Sequence, residues 1–272
     1  MNRHMIRPAF LWVVLVVCTL LAQPAAADPI TLRAGINLDF LDGKHETGGG
    51  AARITFIPLP LVDADARFRR TSLHLEGLPS VTFGYGNGSI EGASSTRLSL
   101  FTGTLRHYLT GSFYVGVGQT LYNQRTAYNV LQQTTPFRTL SQESRVTGAR
   151  FEAGLDRPIS SSTRMRIVVA LNPVMHGVQY STVATAVRAC SFNSATPAPA
   201  SCPLTELADP ERASQADISI TFAKHLHHGE LVYGLRYLDY VSHYSEVNQP
   251  GDGLLADRNV GVMPVIGWRV KL

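Results

Sequence analysis

The last fourteen residues alternate between apolar side chains and polar or small ones, and this pattern constrains the fold more than any other feature of the sequence. A side-chain period of two over such a length predicts a β-strand with one apolar face. Strands of globular proteins usually have about five or six residues. A long strand with one apolar face is what a transmembrane β-barrel requires. The apolar face consists of Val260, Val262, Pro264, Ile266, Trp268, Val270 and Leu272.

The first 27 residues have the features of a signal peptide. Arg3 and Arg7 form a basic start, residues 11–21 are apolar, and residues 25–27 are three alanines that suit a cleavage site. We therefore expect residues 1–27 to be removed and residues 28–272 to form one barrel domain. An uncleaved anchor helix and lipidation at Cys18 are the alternatives.

The net charge argues against a nucleic acid partner, and the cysteine content predicts a disulfide. Removing the signal peptide takes away Arg3 and Arg7 and leaves all 20 acidic residues, so the mature chain is close to neutral. No basic stripe indicates nucleic acid binding. Cys190 and Cys202 remain, and in an oxidising compartment they predict one disulfide. Nothing in the sequence points to a cofactor or a bound metal.

Alternating segments recur along the chain and are joined by short and long connections in turn. Clear examples are residues 30–40, 96–108 and 113–123. This rhythm predicts an all-β fold, an antiparallel up-and-down transmembrane β-barrel of about ten strands. Eight or twelve strands follow from other interpretations of residues 52–86, and a soluble lipocalin-like barrel is the alternative class. The predicted long loops are 41–50, 124–143, 181–212 and 244–256.

Two segments resemble bacterial outer-membrane β-barrel proteins of the small-barrel class. They are the hairpin of residues 106–118 and the closing strand of residues 260–272. The resemblance implies a Gram-negative outer membrane, contact with membrane lipid and lipopolysaccharide, and insertion by the barrel-assembly machinery. It does not identify a specific protein partner.

Charged residues on the other face of the strands are expected to line a narrow lumen. The favoured interpretation is a plug of ion pairs that compensates buried charge. The alternative is a small pore with a preference for anions, because arginine predominates in the set. The candidates are Arg33, Asp39, Arg150, Glu152, Arg166, Arg236 and Arg269.

The sequence His243-Tyr244-Ser245 resembles the His-x-Ser motif of outer-membrane lipid A 3-O-deacylases. The resemblance implies that Ser245 is a nucleophile, His243 its base and Asp257 the acid that orients the histidine. Strand phase places His243 on the lipid-facing side, as a lipid hydrolase needs. We expect a non-enzymatic barrel with a structural, loop-mediated or minor permeation role, and this ester hydrolase is the alternative.

Three further motifs carry weaker signals. The cluster at His225, His227 and His228 and the pair Asp63 and Asp65 are both interpreted as turns rather than as sites. Residues 57–77 resemble a segment of MipA/OmpV-type outer-membrane scaffolding proteins, and that resemblance implies no catalytic residue.

Overall fold

Ten antiparallel strands close into a barrel in the computed structural model, which describes residues 30–47, 50–84, 93–128, 138–184, 204–244 and 255–272. Each strand pairs with its neighbours along the chain, and β1 pairs with β10 to close the wall. The strands are β1 (Thr31–Thr47), β2 (Gly50–Phe68), β3 (Thr71–Gly84), β4 (Ala93–Tyr108), β5 (Phe113–Tyr128), β6 (Arg138–Pro158), β7 (Thr163–Ala184), β8 (Leu204–Leu226), β9 (Gly229–Tyr244) and β10 (Leu255–Lys271).

The predicted fold class and the strand number of ten are confirmed. Short connections at residues 69–70, 109–112, 159–162 and 227–228 lie at one end of the barrel, which we call the turn end. The opposite end is the loop end, and most of its connections lie outside the described residues. Among the described residues, no helix is long and apolar enough to cross a membrane.

Several strands extend further towards the loop end than the alternation predicts. Residues 41–47 continue β1, and the predicted loops at 124–143, 181–212 and 244–256 are shortened by strand residues on both sides or on one. β8 has 23 residues and would rise roughly 55–60 Å at the usual strand rise and tilt, about twice the height of the apolar band of a transmembrane barrel. The wall therefore projects beyond the membrane at the loop end.

Apolar side chains form an exposed band around the outside of the barrel. In β5, for example, Val115 and Val117 are 41% and 58% exposed, while Tyr114 on the other face is fully buried. The band continues through β6, β7, β9 and β10. A soluble barrel would hold its apolar side chains inside, so the band supports the membrane type of barrel.

Backbone pairing between β2 and β3 covers only their turn-end halves. These strands pair from Val62–Gly77 down to Phe68–Thr71 and not beyond Val62–Gly77 towards the loop end. By contrast, β1 pairs with β2 up to Thr47–Gly50, and β3 pairs with β4 up to Gly84–Ser95. The loop-end halves of β2 and β3 thus have a ladder on one side only. We call this interruption the β2–β3 seam.

Candidate functional site: the barrel lumen

A network of ion pairs crosses the inside of the barrel in its turn-end half. Arg236 is its centre and donates to Asp217 from Nε at 3.0 Å and from Nη2 at 2.6 Å. The same guanidinium donates to Glu76 at 2.8 Å and to Asp39 at 3.4 Å. Four strands, β1, β3, β8 and β9, are therefore joined across the lumen by one arginine.

The network continues from Asp217 to the opposite wall. Arg150 donates to Asp217 at 3.1 Å and lies 3.5 Å from Glu152. Arg106 donates to Glu152 at 2.6 Å, and its Nη1 lies 3.5 Å from Asp65. All of these side chains are nearly inaccessible to solvent. Buried charges of this kind persist because each has an opposite charge within reach.

Two smaller groups lie beside this network. Arg269 donates to Asp63 at 3.1 Å, and Asp63 also accepts a hydrogen bond from Asn37. Arg166 donates to Asp156 at 3.3 Å near the turn end. Arg33 is half-buried on the inner face of β1 and lies in register between Asp65 and Lys271. We call the buried charged residues of all these groups the charged layer.

The sequence analysis predicted that Asp63 and Asp65 lie in a turn, and this prediction is wrong. Both residues lie within β2 and are buried in the lumen. His74 Nδ1 lies 3.7 Å from Asp65 Oδ2, so a histidine does neighbour the pair. The sequence analysis predicted β2 to be too short because Asp63 and Asp65 interrupt its apolar pattern. Their spacing of two residues is nevertheless the spacing of side chains that share the inward face of a strand.

The sequence analysis predicted that arginine predominates in the lumen, and this prediction is wrong for the lumen as a whole. Asp63, Asp65, Glu76, Asp156 and Asp217 join Asp39 and Glu152 on the inner face and balance the arginines. A preference for anions therefore has no basis in the charge of this layer. One feature of the sequence could have identified the missed acids, which is that each occupies an inward-facing alternate position of its strand.

Two tyrosines close the turn end beneath the charged layer. Tyr108 and Tyr114 are buried, and their ring centroids are 5.2 Å apart. Tyr114 donates to Glu152 at 3.0 Å, and the guanidinium of Arg67 lies 3.8 Å from the centroid of the Tyr108 ring. The aromatic pair thus fills the space between the network and the short turns.

Above the charged layer, a cluster of apolar side chains lies in the lumen beside buried polar ones such as Gln124 and Gln215, and the sequence analysis did not foresee it. Tyr122 of β5 and Tyr240 of β9 stack across the lumen with ring centroids 4.0 Å apart. Leucines from β1 to β4 surround them on one side. We call this set the apolar layer, and its members are Leu41, Leu59, Leu61, Leu78, Leu98, Leu100, Tyr122, Val146, Met175, Ala213, Tyr240 and Met263.

A small cavity lies in the charged layer. Its volume is about 70 Å³, room for a few water molecules. Asp39, Glu76, Arg150, Asp217 and Arg236 are among the residues that line it. Such a cavity can hydrate the ion pairs, but it is far below the several hundred cubic ångströms of a ligand pocket.

His243 is exposed on the outer face of β9, and its backbone pairs with Ala256 and Arg212. Asp257 lies opposite Ser242, so the register does not set it across from His243. Ser245 lies outside the described residues. Asp239, on the same outer face as His243, is held by two hydrogen bonds from Arg258, at 2.9 and 2.6 Å. An ion pair therefore accounts for a carboxylate on this face.

A row of basic residues lies on the outer face where the strands leave the apolar band. Arg97 of β4 and Arg125 of β5 are exposed and directly opposite each other. Arg125 pairs in register with Glu143 of β6, which accepts a hydrogen bond from Arg145 at 2.7 Å. Burial raises the pKa of Glu143, but the hydrogen bond and charge of Arg145 outweigh it and hold that pKa below its usual range.

The remaining sequence candidates add no further site. Cys190 and Cys202 lie outside the described residues. His227 and His228 form the β8–β9 turn, where both rings are exposed and their centroids are 4.4 Å apart. Within the described ranges, no group of three or more His, Cys, Asp or Glu side chains could hold a metal ion.

Comparison with known proteins gives structural neighbours only. No family model matches the chain, and no curated protein matches it either. The outer-membrane protease OmpT of Escherichia coli superimposes with a TM-score of 0.54 at 8% identity, covering 92% of this chain and 99% of that one. The toluene transporter TodX of P. putida gives a TM-score of 0.35 at 9% identity, covering 93% and 92%.

Both neighbours share so little sequence that they can inform the fold alone, and only the first has a TM-score high enough to do so. A ten-stranded closed wall, an outer apolar band and a charged lumen agree with that likeness. The chain has the fold of a bacterial outer-membrane β-barrel protein.

Proposed function

We propose that this protein is an outer-membrane barrel with a sealed lumen, which acts as a rigid support for its loop end rather than as a pore or an enzyme. The observation that carries the proposal is the filling of the lumen by two layers of different chemistry. An ion crossing the barrel would have to separate the partners of Arg236 and then part the stacked rings of Tyr122 and Tyr240. Of the described residues, those of both layers occupy the lumen that such an ion would have to cross.

The long strands favour a role at the loop end. β6, β7 and β8 have 21, 22 and 23 residues, more than a bilayer requires. A barrel that only needed to be anchored would have no use for the extra length. The projecting wall presents β-sheet and its connecting loops to the exterior, where binding of a partner or of neighbouring lipopolysaccharide would occur.

Planar-bilayer recording tests the sealed lumen. The purified, folded protein should give no steady conductance steps at moderate voltage, and a general porin recorded in the same membrane should give large ones. Stable steps from the unmodified protein would contradict the proposal. Heat-modifiable migration on a gel should first establish that the inserted material is folded.

The alternative is hydrolysis of a lipid ester by Ser245 and His243. Its support is that His243 is exposed on the outer face, where membrane lipid is accessible. Lipid A mass spectra from cells expressing the protein decide between the two. We expect identical spectra with the unmodified protein and with Ser245→Ala, and loss of an acyl chain that depends on Ser245 would establish the hydrolase.

A further inference from the structure

The β2–β3 seam has chemistry of its own, set by three prolines. The ladder between β1 and β2 continues through Pro60 and Pro58 to Ile57, where a bulge shifts its register. Because proline has no N–H to give, this is possible only if both imide nitrogens point away from β1, towards β3. Pro79 lies across the seam, in the bulge of β3 between Leu78 and Val81. The two facing strand edges are therefore poor in hydrogen-bond donors.

An edge of this kind does not suit another β-strand. Strand addition depends on main-chain hydrogen bonds, and prolines on an edge are a known obstacle to it. An alkyl chain forms no hydrogen bonds, so it does not depend on the donors that such an edge lacks. The missing donors also lower the cost of leaving these strands unpaired in lipid, where each unsatisfied polar group is expensive.

The seam separates the apolar outside from the apolar layer inside, and the leucines behind it are buried. Val62, at its turn-end limit, is 51% exposed on the outer face. Leu59, Leu61 and Leu78 line its inner side and belong to the apolar layer. At the same height β4 and β5 are paired, for example at Leu100–Tyr122. A chain entering here would remain in apolar surroundings.

The basic row on the outer face begins at the loop-end limit of the seam. Arg97 donates to Thr82 of β3 at 3.4 Å, so its guanidinium lies beside the seam. Arg125 is its cross-strand neighbour, and like charges in directly opposite positions repel, although Glu143 on the other side of Arg125 reduces this repulsion. A phosphate between the two would relieve the repulsion, since guanidinium groups bind phosphate by paired hydrogen bonds.

We propose that the β2–β3 seam binds one acyl chain of a phosphorylated membrane lipid, and that the phosphate of this lipid lies between Arg97 and Arg125. The lipid belongs to the leaflet at the loop end, because the seam lies at that edge of the apolar band. Its alkyl chain packs against Leu59, Leu61 and Leu78, and its head group stays outside the wall.

Fluorescence quenching by brominated lipids tests the acyl chain. Trp12 and Trp268 are replaced by phenylalanine, and one tryptophan is introduced by Leu59→Trp at the seam or by Val146→Trp in the apolar layer of β6, away from the seam. In vesicles of phosphatidylcholine with brominated acyl chains, we expect at least twofold stronger quenching for Leu59→Trp. Leu78→Trp replaces it if that variant does not fold, as judged by heat-modifiable migration.

Proline replacements give the matched control. Pro58→Val with Pro60→Val restores two donors to the seam and should reduce the quenching of Leu59→Trp to the Val146→Trp level. Pro264→Val should leave it unchanged, because the β1–β10 ladder resumes at Asp42–Val262 beyond that proline. Equal, weak quenching at Leu59→Trp and Val146→Trp would overturn the proposal, as would dimers cross-linked through β2 and β3.

The phosphate is tested with the same reporter. Brominated phosphatidylglycerol mixed at one part in ten into unbrominated phosphatidylcholine should quench Leu59→Trp at least threefold more than brominated phosphatidylcholine at the same fraction. Arg97→Gln with Arg125→Gln should abolish this preference, and Arg145→Gln, whose guanidinium already has Glu143, should retain most of it. Equal quenching by both lipids would overturn the assignment of the phosphate to Arg97 and Arg125.

Discussion

Single residues in the lumen have requirements that follow from what they touch. A Cβ on Gly154 would lie 2.3 Å from the Tyr114 ring, so the lack of a side chain at this position is what lets the tyrosine fill the turn end. Gly111, in the β4–β5 turn, has no atom within 4 Å of such a Cβ.

We therefore expect Gly154→Val to lower stability by about 1–3 kcal/mol, the usual cost of overpacking. The midpoint of unfolding in urea, read by heat-modifiable migration in lipid vesicles, would measure it. Gly111→Ala is the control and should shift the midpoint little. Equal stability of the two variants would contradict the packing of Tyr114 against Gly154.

Arg236 forms three ion pairs, more than any other described residue. Arg236→Met leaves Asp39, Glu76 and Asp217 facing one another, and breaking a buried pair in this way costs about 3–5 kcal/mol. Unfolding midpoints in urea, read by heat-modifiable migration, measure this cost. Arg145→Met, at an exposed ion pair, should cost less than about 1 kcal/mol.

At the scale of the strands, alternation was a good guide only where one face meets lipid. Val115 and Val117 alternate with Tyr114 and glycines, and β5 was predicted with the correct first residue but ended at Asn123, five residues before its actual end. Beyond the apolar band both faces are polar, so the extension of β8 to residues 204–214 left no period to detect. In β2, Leu59 and Leu61 face inward and alternate with outward-facing prolines. Because both faces are apolar there, the sequence does not show which face points to the lumen.

The ion pairs were harder to predict from the sequence than the strands were. Inward parity identified Arg150 and Arg236, but a single sequence does not show that Asp217 lies between them. That pairing depends on the register of β8 against β9 and on the curvature that brings β6 across. The seam depends on register too, because Pro58 and Pro60 indicate an irregular strand without saying on which side its ladder fails.

The outward phase of the strands can be tested by charge. Val117 is 58% exposed in the middle of the apolar band, between Leu105 and Phe151 in register. Val117→Arg should destabilise the folded barrel by about 2–4 kcal/mol in vesicles, whereas His243→Arg, beyond the band, should cost about 0–1 kcal/mol. Urea titrations of both variants make the comparison. Similar losses at the two positions would mean that Val117 does not face lipid.

For the whole molecule, the two lumen layers act in series, and this arrangement predicts how conduction depends on them. Tyr122→Ala with Tyr240→Ala opens the apolar layer but leaves the arginine network below it. Arg236→Ser with Asp217→Ser removes one opposite pair from the charged layer without changing its net charge, while the stacked rings remain. Each double variant should therefore stay closed in planar bilayers, and the quadruple variant should show steady steps. Conductance in the tyrosine double variant alone would mean that the charged layer does not seal the barrel, and a closed quadruple variant that is folded by heat-modifiable migration would place the seal elsewhere, for example at Tyr108 and Tyr114.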